Sequence, residues 1–119
     1  MAQVDVPVTV LTRSGDDPQT GVTTPSDAVD GFLFQNDGKS WLFIENVGVS
    51  TIVITFATPQ QVAGLAVAEL TLSVINAEIR LIGPFPTETF NVSSGANLGK
   101  VSATTDANGT DLRIKDYRL

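Results

Sequence analysis

Thirty-five of the 119 residues are β-branched, fourteen valines, fourteen threonines and seven isoleucines, and they recur in short stretches with a period of two rather than 3.6. Alternation of this kind gives each segment one apolar face that must be buried against another sheet. Short strands at regular spacing, each with one such face, close most economically into an all-β antiparallel sandwich or small jelly-roll barrel. About eight or nine strands account for the pattern, and no internal repeat, heptad or low-complexity tract interrupts it.

Val4, Val6, Val8 and Val10 open the chain as a half-buried strand, and Pro7 between them places it on a sheet edge or at an exchange of the chain between sheets, because proline has no ladder donor. Residues 13–30 carry Gly, Asp, Pro, Thr and Ser with almost no large apolar side chain, which reads as a long loop or extended arm. The chain therefore divides into an N-terminal strand and polar arm over residues 1–30 and a sandwich body over residues 31–119. In the body, residues 31–35 and 40–46 read as strands about a hairpin turn at Asn36-Asp37-Gly38-Lys39. Residues 51–58 form a strand with Ile52, Ile54 and Phe56 on one face.

Residues 60–69 have helical propensity, and a single helical turn near Val62 fits there. The alternation of Leu70, Leu72 and Val74, then of Ile79 and Leu81, instead predicts two strands about a turn at Asn76-Ala77. Gly83-Pro84-Phe85-Pro86 stops the second of these, since two prolines deny ladder donors. A further strand carries Phe90 and Val92. Residues 100–105 and 111–117 then flank a turn at Asp106-Ala107-Asn108-Gly109, the second hairpin signal.

Composition excludes much of enzymology. The chain has no histidine and no cysteine, which removes the commonest nucleophile-base pairs, the usual zinc ligands and a neutral-pH proton shuttle. The serines at 14, 93 and 94 lie in no G-x-S-x-G elbow, and Glu45, Glu69, Glu78 and Glu88 are scattered with no aromatic platform beside them. Asp106 to Asp111 resembles the start of a calcium loop but lacks the later bidentate Glu, and its composition is what a hairpin turn needs. Gly95 to Lys100 has the composition of a phosphate loop without its spacing. The expectation is a non-enzymatic protein with no catalytic residues, cofactor or metal.

The net charge of −6 disfavours phosphate backbones and anionic lipid surfaces, so neither nucleic acid nor membrane is an expected partner. The N-terminus lacks a basic stretch followed by an apolar one, which predicts synthesis and retention in a cytoplasm. Two aromatic residues stand out. Trp41 shares a strand face with Phe43 and Glu45, opposite Leu42 and Ile44, and belongs either to the core or to a subunit contact. Phe85, held between prolines, is a rigid anchor that packs on its own domain or on a partner.

Three stretches carry a family resemblance: Asn36-Asp37-Gly38-Lys39-Ser40-Trp41-Leu42-Phe43-Ile44-Glu45-Asn46, Thr51-Ile52-Val53-Ile54-Thr55-Phe56-Ala57-Thr58-Pro59, and Ile82-Gly83-Pro84-Phe85-Pro86 followed by Phe90-Asn91. Over residues 31–119 the chain resembles the small head decoration or cement proteins encoded beside the major capsid gene of tailed bacteriophages. Where such proteins carry a Pro-Ala-Gly turn before the third stretch, this chain has Asn76-Ala77-Glu78. The resemblance implies a virion structural protein, assembled in the bacterial cytoplasm, that binds the major capsid protein on the outer head surface and stabilises it as a symmetric oligomer, a trimer being favoured. A tail, connector or fibre-associated component is the alternative, and a carbohydrate-binding or adhesion module a more distant one. The candidate partner or subunit contacts are Val4, Val6, Val8, Val10, Trp41 and Phe85. Residues 4–10 either add to a sheet edge of a neighbour or belong to their own sandwich.

Overall fold

The computed structural model describes residues 3–19, 21–24, 31–59, 61–62, 65–66, 68–93, 95–106 and 111–118. Its strands are β1 (Val4–Val6), β2 (Val8–Val10), β3 (Phe32–Gln35), β4 (Ser40–Asn46), β5 (Ile52–Phe56), β6 (Gln61–Val62), β7 (Leu65–Ala66), β8 (Leu70–Val74), β9 (Ile79–Ile82), β10 (Lys100–Thr105) and β11 (Leu112–Arg118). One four-residue helix, α1 (Thr87–Phe90), lies between β9 and β10. A first sheet has the order β1-β3-β10-β5-β8 and a second the order β2-β11-β4-β9, with β6 and β7 forming a separate short pair. The chain is an all-β sandwich.

The antiparallel pairs are nested. β3 pairs with β10, β4 with β9, β5 with β8 and β6 with β7, so the chain from β3 to β10 is one long antiparallel hairpin. Its successive strands fall into different sheets, which is the winding of a jelly roll. β11 then adds to the free side of β4. The expected antiparallel pattern is corrected at the N-terminus, where β1 runs parallel to β3 and β2 parallel to β11, making both sheets mixed. Pro7 sits where the chain leaves the edge of one sheet for the edge of the other, a point that needs no ladder donor.

The two expected hairpins are corrected as well. The turn at residues 36–39 has the expected chemistry: Gly38 takes a φ of 87°, the Gly38 amide donates to Asn36 Oδ1 at 3.0 Å and the Lys39 amide to Asp37 Oδ1 at 2.9 Å. It nevertheless joins strands of opposite sheets. Asn36 explains why, being buried with its amide donating to Phe85 O at 2.9 Å and Asn91 Oδ1 at 2.8 Å, so that the turn is stitched to the segment after β9. β10 and β11 also lie in opposite sheets, and of the turn between them residues 107–110 fall outside the described residues.

Two smaller expectations are corrected. Residues 61–62 are extended and pair with residues 65–66 rather than forming a helical turn. Phe90 ends α1 instead of lying on a strand, because Pro86 opens a helical turn in which the Phe90 amide donates to Pro86 O at 3.1 Å. Past it, Asn91 makes a single bridge to Val101.

The core lies between the sheets. Phe32, Phe34, Leu42, Ile44, Ile52, Ile54, Phe56, Val101, Leu112 and Ile114 are buried in it, together with Val6 from the N-terminal strand. Each such side chain contributes about 1.5–3 kcal/mol on leaving water. Phe85 sits among Phe34, Phe56 and Phe90 with ring centroids 5.2–5.3 Å apart. Gly31, at a φ of 73°, lets β3 start hard against β10: a Cβ there would lie 2.1 Å from Ala103 O.

Candidate functional site

On the outer face of the second sheet the alternation of β4 turns Trp41, Phe43 and Glu45 away from the core. The register sets Tyr117, Lys115 and Arg113 of β11 beside them in that order, and on the other side Leu81 and Ile79 of β9 beside Phe43 and Glu45. An apolar strip thus crosses a face that would otherwise be in water.

The segment after β2 folds back over part of this face. The Leu11 amide donates to Arg118 O at 2.9 Å, and Thr23 exchanges two backbone bonds of 2.9 Å with Ile114. Between these points Asp16 accepts from the Lys115 ammonium and from the Tyr117 hydroxyl, the latter at 2.5 Å. Lys115 Nζ also donates to Asp17 O at 3.3 Å, and Gln19 Nε2 donates to Glu45 Oε2 at 3.3 Å. Lys115, Tyr117 and Phe43 are buried as a result.

These contacts move Asp16 and Tyr117 away from their ordinary titration ranges. The hydrogen bond from Lys115, reinforced by that from Tyr117, holds the Asp16 carboxyl below the usual carboxylate range. Burial, with the Asp16 carboxylate alongside, pushes the Tyr117 phenol up to about 12.

The cover is incomplete. A cleft of about 440 Å³ remains between the segment and the sheet, lined chiefly by Leu11, Pro18, Trp41, Phe43, Leu81 and Tyr117. Its rim is open at β9, where Leu81 is 63% and Ile79 50% exposed. Asp16 and Tyr117 are bonded to each other, Arg118 donates to Gln35 O at 3.4 Å, and the remaining walls are mainly apolar. Among the described residues there is no group of three or more Asp or Glu that could hold a metal, and no helix long and apolar enough to cross a membrane.

Of the candidates read from the sequence, Trp41 lies in this cleft, half-buried. Phe85 is 2% exposed, inside the core, with its edge on a second apolar recess of about 280 Å³ beside Leu70, Leu72 and Ile82. Val4 packs partly against the core and Val6 is within it, while Val8 is half-buried and Val10 exposed. Residues 4–10 pair with β3 and β11 of their own chain. The calcium-like pattern at residues 106–111 falls mostly outside the described residues, with Asp106 Oδ2 accepting from the Val53 amide at 3.1 Å.

Sequence reasoning reached Trp41 and its face but missed Leu11, Asp16, Pro18, Leu81, Lys115 and Tyr117. Lys115 and Tyr117 alternate as Trp41 and Phe43 do, which is a signal for an outer face, but nothing in the chain order says that these two strands are neighbours. No protein-family model, curated protein or solved structure matches the chain.

Proposed function

We propose that this chain is a non-enzymatic structural protein that docks on other proteins through the outer face of its second sheet, and that it serves as a decoration protein on the outer surface of a tailed-phage head. The observation that carries the docking role is the open, mainly apolar cleft beside Trp41, at which Asp16 is bonded to Lys115 and Tyr117. Such a surface recognises apolar side chains. The capsid role rests on the resemblance of residues 31–119, with which a jelly roll agrees, since viral capsid proteins are among those that use that architecture. In this reading the partner is the major capsid protein, and the protein acts as a homo-oligomer, with a trimer matching threefold positions of a shell.

Quantitative mass spectrometry of purified particles of the source virus tests the assignment. Copy numbers comparable to the major capsid protein are expected. A few copies per particle would move the protein to the tail or connector, and its absence from particles would overturn the virion role. Replacing the exposed Leu81 by Glu should weaken binding to undecorated heads at least tenfold while the far-ultraviolet circular dichroism is unchanged.

A further inference from the structure

β9 is the edge of the second sheet, and among the described residues no strand pairs with its far side. The ladder phase shows which of its backbone groups are free. The Asn46 amide donates to Glu78 O at 3.1 Å and the Ala77 amide to Asn46 O at 3.0 Å, whereas the Val47 amide donates to Asp111 O at 3.1 Å. Even-numbered residues of β4 therefore bond toward β9 and odd-numbered ones toward β11. In the antiparallel register Ile44 faces Arg80 and Leu42 faces Ile82, so Arg80 and Ile82 spend their backbone groups on β4. The N–H and C=O groups of Ile79 and Leu81 point away from β4, where no described strand pairs with them.

These two residues also carry the exposed apolar side chains of the strand, on the same face as the cleft, and Leu81 forms part of the cleft wall. A strand added here would set one side chain beside Leu81 at the mouth of the cleft and another, two residues on, beside Ile79. In the next strand inward, opposite Ile79, stands Glu45, whose Oε1 is buried without a hydrogen-bond partner. A new strand would lie about 10 Å from β4, two inter-strand spacings, which a long basic side chain and Glu45 can bridge. Arg80, the cation of β9 itself, is paired with Glu78 at 3.2 Å and is not available to Glu45.

We infer that the free edge of β9 receives an extended segment of a partner protein, paired antiparallel, with an apolar residue opposite Leu81 and Lys or Arg two residues later opposite Ile79. Main-chain bonds to Ile79 and Leu81 supply the attachment, while the cleft and Glu45 read the two side chains. The charge preference agrees with a receiving chain of net charge −6, which also disfavours a second copy of itself as the occupant. This inference rests on the docking reading and gives the partner side of it a chemistry.

The test selects a displayed library of random ten-residue peptides against the immobilised full-length chain. Enriched peptides should share an apolar-x-Lys/Arg pattern. The dissociation constant of the best of them should rise at least tenfold for Leu81→Pro, which removes an outward N–H without touching the β4 ladder, and change little for Leu81→Val. Leu81→Glu serves as the second variant should the proline unfold the strand, and Glu45→Gln should erase the preference for a basic residue. Binding that is unaffected by Leu81→Pro and Leu81→Glu, or enrichment with no alternating pattern, overturns the inference. So does a solution dimer, seen by sedimentation, that Leu81→Glu dissociates, because a second copy would then hold the edge. Heads that bind the chain while no peptide does would leave the docking reading standing and remove only this inference; peptide binding without head binding would keep both and overturn the capsid role.

Discussion

Asp116 occupies a position that costs the fold stability. It projects inward from β11 in step with Leu112 and Ile114, is fully buried, and neither carboxylate oxygen has a hydrogen-bond partner. The neighbouring Ser40 hydroxyl donates to Gln35 O at 3.1 Å instead. Burial pushes the Asp116 carboxyl up to about 7, against the opposing pull of Ser40 and Arg118, with Asp37 adding to the rise. The folded chain thus keeps this proton to about pH 7, whereas the unfolded chain loses it near pH 4. Between those values the unfolded state binds fewer protons, so this residue's contribution to stability falls as pH rises and levels off above pH 7. Asp116→Asn should raise stability at pH 8 by about 2 kcal/mol, roughly half of the full displacement because water and side-chain motion screen the charge. At pH 4 the two proteins should be equal within about 0.5 kcal/mol. Urea denaturation across pH 4–8 measures this, and parallel curves for the two proteins would contradict it.

At the scale of elements, the segment after β2 is held by side chains more than by a ladder. Its attachments between Leu11 and Thr23 include the Asp16 pair with Lys115 and Tyr117, the Lys115 bond to Asp17 O, and Gln19 on Glu45. Asp16→Asn removes the counter-charge of a buried ammonium, and Lys115 must then reach for water by lifting the segment. Backbone amides of residues 12–19 should exchange at least tenfold faster in this variant, and the emission of the single tryptophan, Trp41, should move to longer wavelength as the cleft opens. Amides of β10 should be unaffected. Since Lys115 and Tyr117 hold the Asp16 carboxyl below the usual range, the wild-type segment should detach only in acid stronger than that which protonates an ordinary carboxylate.

For the molecule as a whole, the N-terminal strand closes one side of both sheets at once. β1 covers the edge of β3, β2 covers the edge of β11, and Val6 enters the core between them. Deleting residues 2–10 should therefore cost at least about 3 kcal/mol, from the lost valine burial and two ladders, and leave two bare strand edges prone to self-association. Urea denaturation and sedimentation of the truncated chain check this; a monomer of unchanged stability would mean that the strand works outside its own sandwich. The nested pairing has a kinetic side too, because β3 must find β10 across most of the chain before the first sheet exists. Folding on the millisecond-to-second scale of non-local β topologies is the consequence.

The strands and turns were legible because their causes are local. Alternation along Ile52, Ile54 and Phe56, the Asx bonds of residues 36–39 and the halt at Pro84 and Pro86 depend on neighbours within a few positions. Trp41 was legible as a residue needing cover for the same reason. The tertiary structure alone decided which sheet each strand joins, since one Asn-Asp-Gly turn serves a hairpin or a crossover, and the choice fell to Asn36 bonding residues 49 and 55 positions away. It also decided the cleft. Leu11, Trp41, Leu81 and Tyr117 become one surface only when β11, β4 and β9 settle in register beneath the segment that Asp16 pins down, an adjacency set by burial across the whole chain rather than by any local run of residues.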